Sequence, residues 1–202
     1  SKKVKTGLMQ KLLTRGIAHV TFKKVPWYFG KYIEIPEEWT EFKLVSLLKI
    51  KYGLSKPPKL SDNGIQMIRA TDIKLGKIIF NKPIKIDLNS IPKTKDPFLH
   101  TGDIIVVRSG VFTGDVALIT SAYDKSIVGY DIVLYCNHKS NSLFLIYYML
   151  SSLIQNYFQS LSSRSAQPHL NSEEIGNSRI LLPPLPEQQK IASILSNMDS
   201  KI

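Results

Sequence analysis

The sequence predicts a mixed α/β fold, a β-rich core with an amphipathic helix at each end. Three observations lead there. Short β-branched runs bounded by Gly, Pro or Asp recur between residues 65 and 136, the clearest being Ile104-Ile105-Val106-Val107. Apolar residues recur at helical spacing at both ends, as Val4, Leu8 and Leu12 and again as Ile191, Ile194, Leu195 and Met198. The 202 residues, 43% hydrophobic and 21% charged, have ordinary globular composition and suffice for one sizeable domain.

The elements follow in order. Residues 2–15 predict a helix closed by Gly16, uncapped at its start as the tail of a longer helix would be. Residues 17–35, rich in Lys and aromatics and broken by Pro26 and Gly30, predict an irregular linker. A short helix entering a strand is expected over 39–50, a loop over 51–64, and strands over 65–73, 77–86, 103–108, 116–119 and 127–136. Helical periodicity takes over at 143–161, with Leu143, Tyr147, Leu150, Ile154 and Tyr157 on one face. A polar loop spans 160–172, a last strand 179–182, and a helix runs from Glu187 to the end at Ile202.

Lys and Arg number 27 against 16 Asp and Glu, a net charge of +11. The excess is uneven. Residues 43–95 hold 12 basic and 3 acidic side chains, whereas residues 96–202 hold 7 and 9. A concentrated excess of this kind is the electrostatic footprint of a polyanion partner, usually nucleic acid. The single cysteine, Cys136, excludes a disulfide framework and a Cys-based zinc site. No apolar run has the ~20 residues of a membrane span, and no secretory signal is recognisable, so the expected compartment is the cytoplasm.

Catalytic patterns are weak. Gly110-Val111-Phe112-Thr113-Gly114 lies between two predicted strands rather than before a helix, so it is not a nucleotide-binding turn. Pro183-Pro184 follows Leu182, which cannot hold the amino group an amino-methyltransferase must bind, and no P-loop is present. His19, His100, His138 and His169 show no paired helical spacing. Glu37-Glu38 and Glu173-Glu174 stand near expected helix starts, where carboxylates complement the helix dipole. Asp72, Asp103, Asp115 and Asp131 are scattered, and Asp103 after Gly102 reads as turn chemistry. The chain reads as a binder. The alternative is a nuclease or DNA methyltransferase fragment with its own activity, which an assay of the isolated chain would separate.

Reading a duplex needs cations for phosphates and polar side chains for base edges. Three segments offer both. Lys56 and Lys59 sit on a loop stiffened by Pro57 and Pro58. Arg69 and Thr71 end one strand, and Arg108 and Ser109 end another. Arg164, Gln167 and His169 share the loop Ser162-Ser163-Arg164-Ser165-Ala166-Gln167-Pro168-His169. Arg suits guanine and Gln adenine. A solvated loop or an internal ion pair accounts equally for any one of them alone, and Asp72 is spaced to pair with Arg69.

Several segments taken together resemble a known family. They are Gly7-Leu8-Met9-Gln10-Lys11-Leu12-Leu13-Thr14, Ile35-Pro36-Glu37-Glu38-Trp39, Met67 to Ile73, Gly102 to Gly110 with Gly114 and Ala117-Leu118, Phe144 to Leu150, and Leu182-Pro183-Pro184-Leu185-Pro186-Glu187-Gln188-Gln189-Lys190-Ile191-Ala192. The set resembles the specificity subunit of type I restriction-modification enzymes over nearly the whole chain. The resemblance implies residues 1–16 as the end of a conserved spacer helix, 17–35 as a linker, 36–182 as one DNA target recognition domain, and 183–202 as the start of the distal conserved helix. The flanking helices would be truncated parts of an antiparallel coiled coil meeting through Leu8, Leu12, Ile191, Leu195 and Met198, or would self-associate there. It further implies a non-catalytic component that reads half of a bipartite double-stranded DNA target and docks methylation and restriction subunits. S-adenosylmethionine, ATP and Mg would be bound only by those partners, and no cofactor by this chain.

Overall fold

A computed structural model describes residues 2–93, 96–137, 140–164 and 166–200. Lys95, His138, Ser165 and Lys201-Ile202, the end of the helix expected from Glu187, therefore lie outside the described residues. The centre is a four-stranded antiparallel sheet, in the order β10 (Val116–Leu118), β9 (Ile104–Val106), β12 (Ile132–Tyr135), β4 (Lys49–Tyr52). Its two middle strands are apolar at every residue because both faces are covered. Ile104, Val106, Ile132 and Leu134 pack with the helices. Ile105, Val107 and Val133 pack on the opposite side with Ile68, Ile73, Ile78 and Leu99. A continuous β-branched run is what such a doubly covered strand requires.

That second side is built from β5 (Leu60–Ile68), flanked by β8 (Ile84–Ile86) antiparallel and β11 (Ile127–Val128) parallel, and from the β6–β7 hairpin (Ile73–Lys74, Lys77–Ile78). The expected strand over 127–136 is thus two strands in different sheets, separated by Gly129, Tyr130 and Asp131. The expected strand over 77–86 is likewise two short ones.

The helical side holds α3 (Ser142–Leu150) and α4 (Ser152–Ser162). The single helix expected over 143–161 breaks at Ser151, whose extended backbone (ψ 156°) ends α3 and whose hydroxyl donates to the Tyr148 carbonyl at 2.6 Å. Asn141 caps α3 by accepting the Phe144 N–H at 2.8 Å. Phe144 to Met149 are all buried, so α3 is the central helix of the core. Asn171 and Glu174 form a capping box on α5 (Ser172–Gly176), an element inside the expected loop-to-strand passage. The Glu173-Glu174 pair has the capping environment expected of it. Glu37 and Glu38 do not: they occupy an exposed turn between two strands.

Residues 17–35 are not irregular. β1 (Phe22–Pro26) and β2 (Tyr32–Pro36) form an antiparallel hairpin in the register Phe22 to Pro36 and Val25 to Ile33. It packs beside α1 (Lys2–Arg15), and Ile35 is fully buried. Tyr28 in its loop stacks on Tyr157 of α4 with ring centroids 3.9 Å apart. Strand β13 (Arg179–Leu182) closes the domain on β3 (Thr40–Lys43), through α2 (Leu44–Leu47) next to β4.

Two of the sequence segments quoted above meet in a polar clasp at the start of α6 (Leu185–Asp199). The Glu187 carboxylate accepts the Ile17 N–H at 2.9 Å and the Trp39 indole N–H at 3.0 Å, and lies 2.8 Å from His19 Nε2. Gln188, 1% exposed, accepts the Asn141 N–H at 2.9 Å and donates to the Pro183 carbonyl at 2.9 Å. Gly16 (φ +62°) passes so close that a Cβ there would lie 2.4 Å from the Glu187 carboxylate.

The end helices do meet, joined by a Lys5–Asp199 ion pair. Their apolar residues do not form a separate seam, however. Leu12, Ile191 and Leu195 are buried in the same cluster as Phe144, Leu145 and Tyr148, with Leu8 packed against its edge and Met198 half-buried. α6 lies on α3 as well as on α1. Charge at Leu12 or Leu195 would therefore enter the core shared with α3 rather than a detachable coil.

Candidate nucleic-acid interface

β9 ends at Val106, and the chain then turns through residues 108–114 into β10. Arg108 is fixed there at its backbone: its N–H donates to Asp131 at 3.1 Å and its carbonyl accepts the Leu170 N–H at 2.7 Å. Its guanidinium carbon sits 4.7 Å from the centroid of Tyr52 and 4.2 Å from that of Tyr130. Two rings around one guanidinium orient the planar fork without consuming its donors. Among the described residues, Nη2 is within reach of His169 Nε2, at 3.5 Å, and Nε is buried without a hydrogen-bond partner. A cation oriented by two rings suits an external acceptor.

The turn and the polar loop are laced together. Ser109 forms a β-bridge to His169, the Gly110 N–H donates to the Pro168 carbonyl at 3.3 Å, and the Thr113 hydroxyl donates to the Gly110 carbonyl at 2.7 Å. The Ser172 N–H donates to the Tyr52 hydroxyl at 2.9 Å. Burial opposes ionisation of Tyr52, but the Ser172 hydrogen bonds and the Arg108 charge outweigh it and hold the phenol below its ordinary value. Asp131 behaves oppositely. Burial pushes its carboxyl above the ordinary range, against the pull of the Arg108 N–H and charge.

Beside this cluster lies a concavity of about 300 Å³ lined by Lys56, Pro58, Arg69, Ser109, Tyr130 and Asp131, among others. Three sequence segments thus converge on one face. Arg108, Ser109 and His169 are in mutual contact, Lys56 and Lys59 are exposed on the neighbouring loop, and Arg164 and Gln167 are exposed on the polar loop. Thr71 is exposed in a short 3-10 turn.

Arg69 departs from its expected role. Its Nε and Nη2 bind both oxygens of buried Asp72 at 2.9 Å, and Nη2 also donates to the Lys82 carbonyl at 2.7 Å. A fork engaged this way holds a turn and has few donors left for a base. The sequence does not single out Tyr52 or Tyr130, and it offers Asp131 only as one of several scattered acids. Tyr130 was hidden inside an assumed continuous strand; the Gly129-Tyr130 step was the signal that the strand breaks. Among the described residues, no three His, Cys, Asp or Glu side chains gather to ligate a metal ion, and no helix is long and apolar enough to cross a membrane.

Known proteins resemble this chain in sequence and fold. The MjaVIII type I restriction enzyme specificity subunit of Methanocaldococcus jannaschii is 27% identical over 207 residues, which cover 99% of this chain and 48% of the relative. The EcoBI specificity subunit of Escherichia coli is 26% identical over 79% of this chain and 34% of its own length. The crystal structure of the HsdS subunit from Thermoanaerobacter tengcongensis superposes on 99% of this chain and 43% of that one, with a TM-score of 0.67 at 17% identity, a likeness of fold. The chain spans about half the length, or less, of these relatives. Residues 36–202 match the type I restriction modification DNA specificity domain family, and the chain belongs to that family.

Proposed function

We propose that this chain is the recognition element of a type I restriction-modification specificity subunit: it reads one half of a bipartite double-stranded DNA target and performs no chemistry itself. The observation that carries the reading is the Arg108 guanidinium, held against the rings of Tyr52 and Tyr130 and within reach of His169, beside a concavity that Ser109 and Tyr130 share with Lys56. Lys56, Lys59 and Arg164 supply phosphate contacts; Arg108, Ser109, Gln167 and His169 meet base edges. Family membership supports the same reading, since the relatives are named specificity subunits.

Methylation and restriction subunits are the protein partners in this proposal, and S-adenosylmethionine, ATP and Mg belong to them, in the cytoplasm. The accessible faces of α1 and α6, with Leu8 and Met198 at their margin, take part in an antiparallel coil that docks these subunits or a second copy. The test is to map DNA methylated by an assembled complex containing this subunit, as wild type and as Arg108→Ala. One half of the split motif should relax in the variant while the other half stays fixed. An unchanged motif would remove Arg108 from base reading.

A further inference from the structure

The turn that follows Arg108 carries two apolar residues outwards. The Thr113 N–H donates to the Gly110 carbonyl at 3.1 Å, so Val111 and Phe112 occupy the two corners of a β-turn. Val111 is 91% exposed and Phe112 40%. Gly110 (φ +86°) and Gly114 (φ +93°) bracket them in the left-handed region, which side chains rarely adopt. The foot of the turn is braced from three sides. The Asp115 N–H donates to the Phe112 carbonyl at 2.9 Å, the Thr113 hydroxyl lies 3.3 Å from the Pro168 carbonyl, and the Gln155 amide donates to the Gly114 carbonyl at 3.0 Å.

A lone exposed apolar residue needs no explanation. Two adjacent ones at the corners of a braced turn, three and four residues beyond Arg108 and next to the His169 loop, present an apolar point at the edge of the proposed DNA-reading face. Continuity with that face, through Arg108 and the His169 loop, favours a nucleic-acid duplex over an apolar protein groove as the occupant. A nucleic-acid duplex offers apolar surface inside a shell of phosphates.

We propose that Val111 and Phe112 form an apolar wedge that enters the base stack beside the half-site and unstacks one step. This rests on the DNA-reading face proposed above and adds deformation of the duplex to its recognition. Apolar wedges of this type open a base step and kink the duplex by about 20–90°. The cost of unstacking depends on the step, so the wedge would select sequence at a position that no polar side chain contacts.

The test uses a duplex enriched from a random pool by the wild-type chain, with 2-aminopurine placed in turn at each purine. Wild-type binding should raise fluorescence at one step. Val111→Ser/Phe112→Ser should lose that rise while still binding random duplex at low salt, and Val111→Met/Phe112→Leu should restore it. Thermal unfolding of both variants controls for misfolding. No rise anywhere with bound wild type, or an equal rise with the serine variant, overturns the wedge and leaves the DNA-reading face standing. Failure of the wild type to enrich or bind any duplex overturns both. Loss of a protein partner from the serine variant with unchanged fluorescence would mark the tip as a protein contact and likewise overturn the wedge.

Discussion

The clasp at Glu187 and Gln188 and the face at Arg108 are both polar clusters joining segments far apart in the chain, and they handle their donors in opposite ways. At the clasp, acceptors and donors saturate one another in partial or full burial: Glu187 serves Ile17, His19 and Trp39, and Gln188 serves Asn141 and Pro183. At the face, the backbone of Arg108 is saturated while its guanidinium is held by ring stacking, with one buried nitrogen unpartnered. A satisfied buried network specifies a fold. A rigid, oriented and under-used cation is what a binding site needs.

Substitutions can break this contrast, and the largest effect belongs to the clasp. Trp39 is fully buried and donates to Glu187. Trp39→Ala should destabilise the chain by about 3–5 kcal/mol, as other large-to-small core changes do. Denaturant unfolding would show it, while the DNA affinity of the fraction still folded stays constant. A loss of affinity without a loss of stability would place Trp39 in the interface.

Arg69 and Arg108 sharpen the comparison, because sequence alone treats them as equals. Arg69→Ala removes a two-pronged pair with Asp72, which is 2% exposed, and should cost about 1–3 kcal/mol of stability after allowance for the partial exposure of Arg69. Arg108→Ala should leave stability closer to wild type and cost about 1–3 kcal/mol of affinity on the correct half-site only. Competition binding with specific and random duplex, beside unfolding curves, checks both. An exchange of the two phenotypes would reverse the assignment.

Lys56→Ala and Lys59→Ala come next. Both lysines are exposed on the loop before β5. Each substitution should weaken specific and random binding equally and reduce the slope of log affinity against log salt by about 0.9 per lost phosphate contact. A change confined to one sequence would make either lysine a base reader.

These differences mark what was legible in the sequence. Strand β13 and helix α1 have the expected bounds, because Pro183 and Gly16 punctuate clear periodic runs. The β1–β2 hairpin was illegible: its strands carry Lys23, Lys24, Pro26 and Glu34, and the burial that defines it comes from α1 and α4 rather than from its own pattern. The proposed DNA face is legible in the sequence as segments but not as a site. Arg108 and His169 are 61 residues apart, and Tyr52 and Tyr130 acquire meaning only where folding sets their rings against one guanidinium. The Arg69–Asp72 pair, by contrast, is local, and its spacing announced it.

The smallest effect concerns Asp131, where the fold serves the face. Its carboxylate accepts the Arg108 N–H, yet burial raises its folded-state pKa. The folded chain therefore holds this proton more tightly than the unfolded chain. The resulting stabilisation is complete below the ordinary carboxylate range and is lost as pH rises through the raised folded value. Each tenfold difference in proton affinity between the folded and unfolded chains contributes about 1.4 kcal/mol. Asp131→Asn keeps an oxygen for the Arg108 N–H and has no proton to lose. Its stability relative to wild type should rise with pH across that window and then level off, as urea midpoints at a series of pH values would show. A difference that stays flat across the window would mean that Asp131 is not desolvated. The same variant removes a negative charge beside Arg108, so it should bind every duplex slightly more tightly at neutral pH, with its sequence choice unaltered.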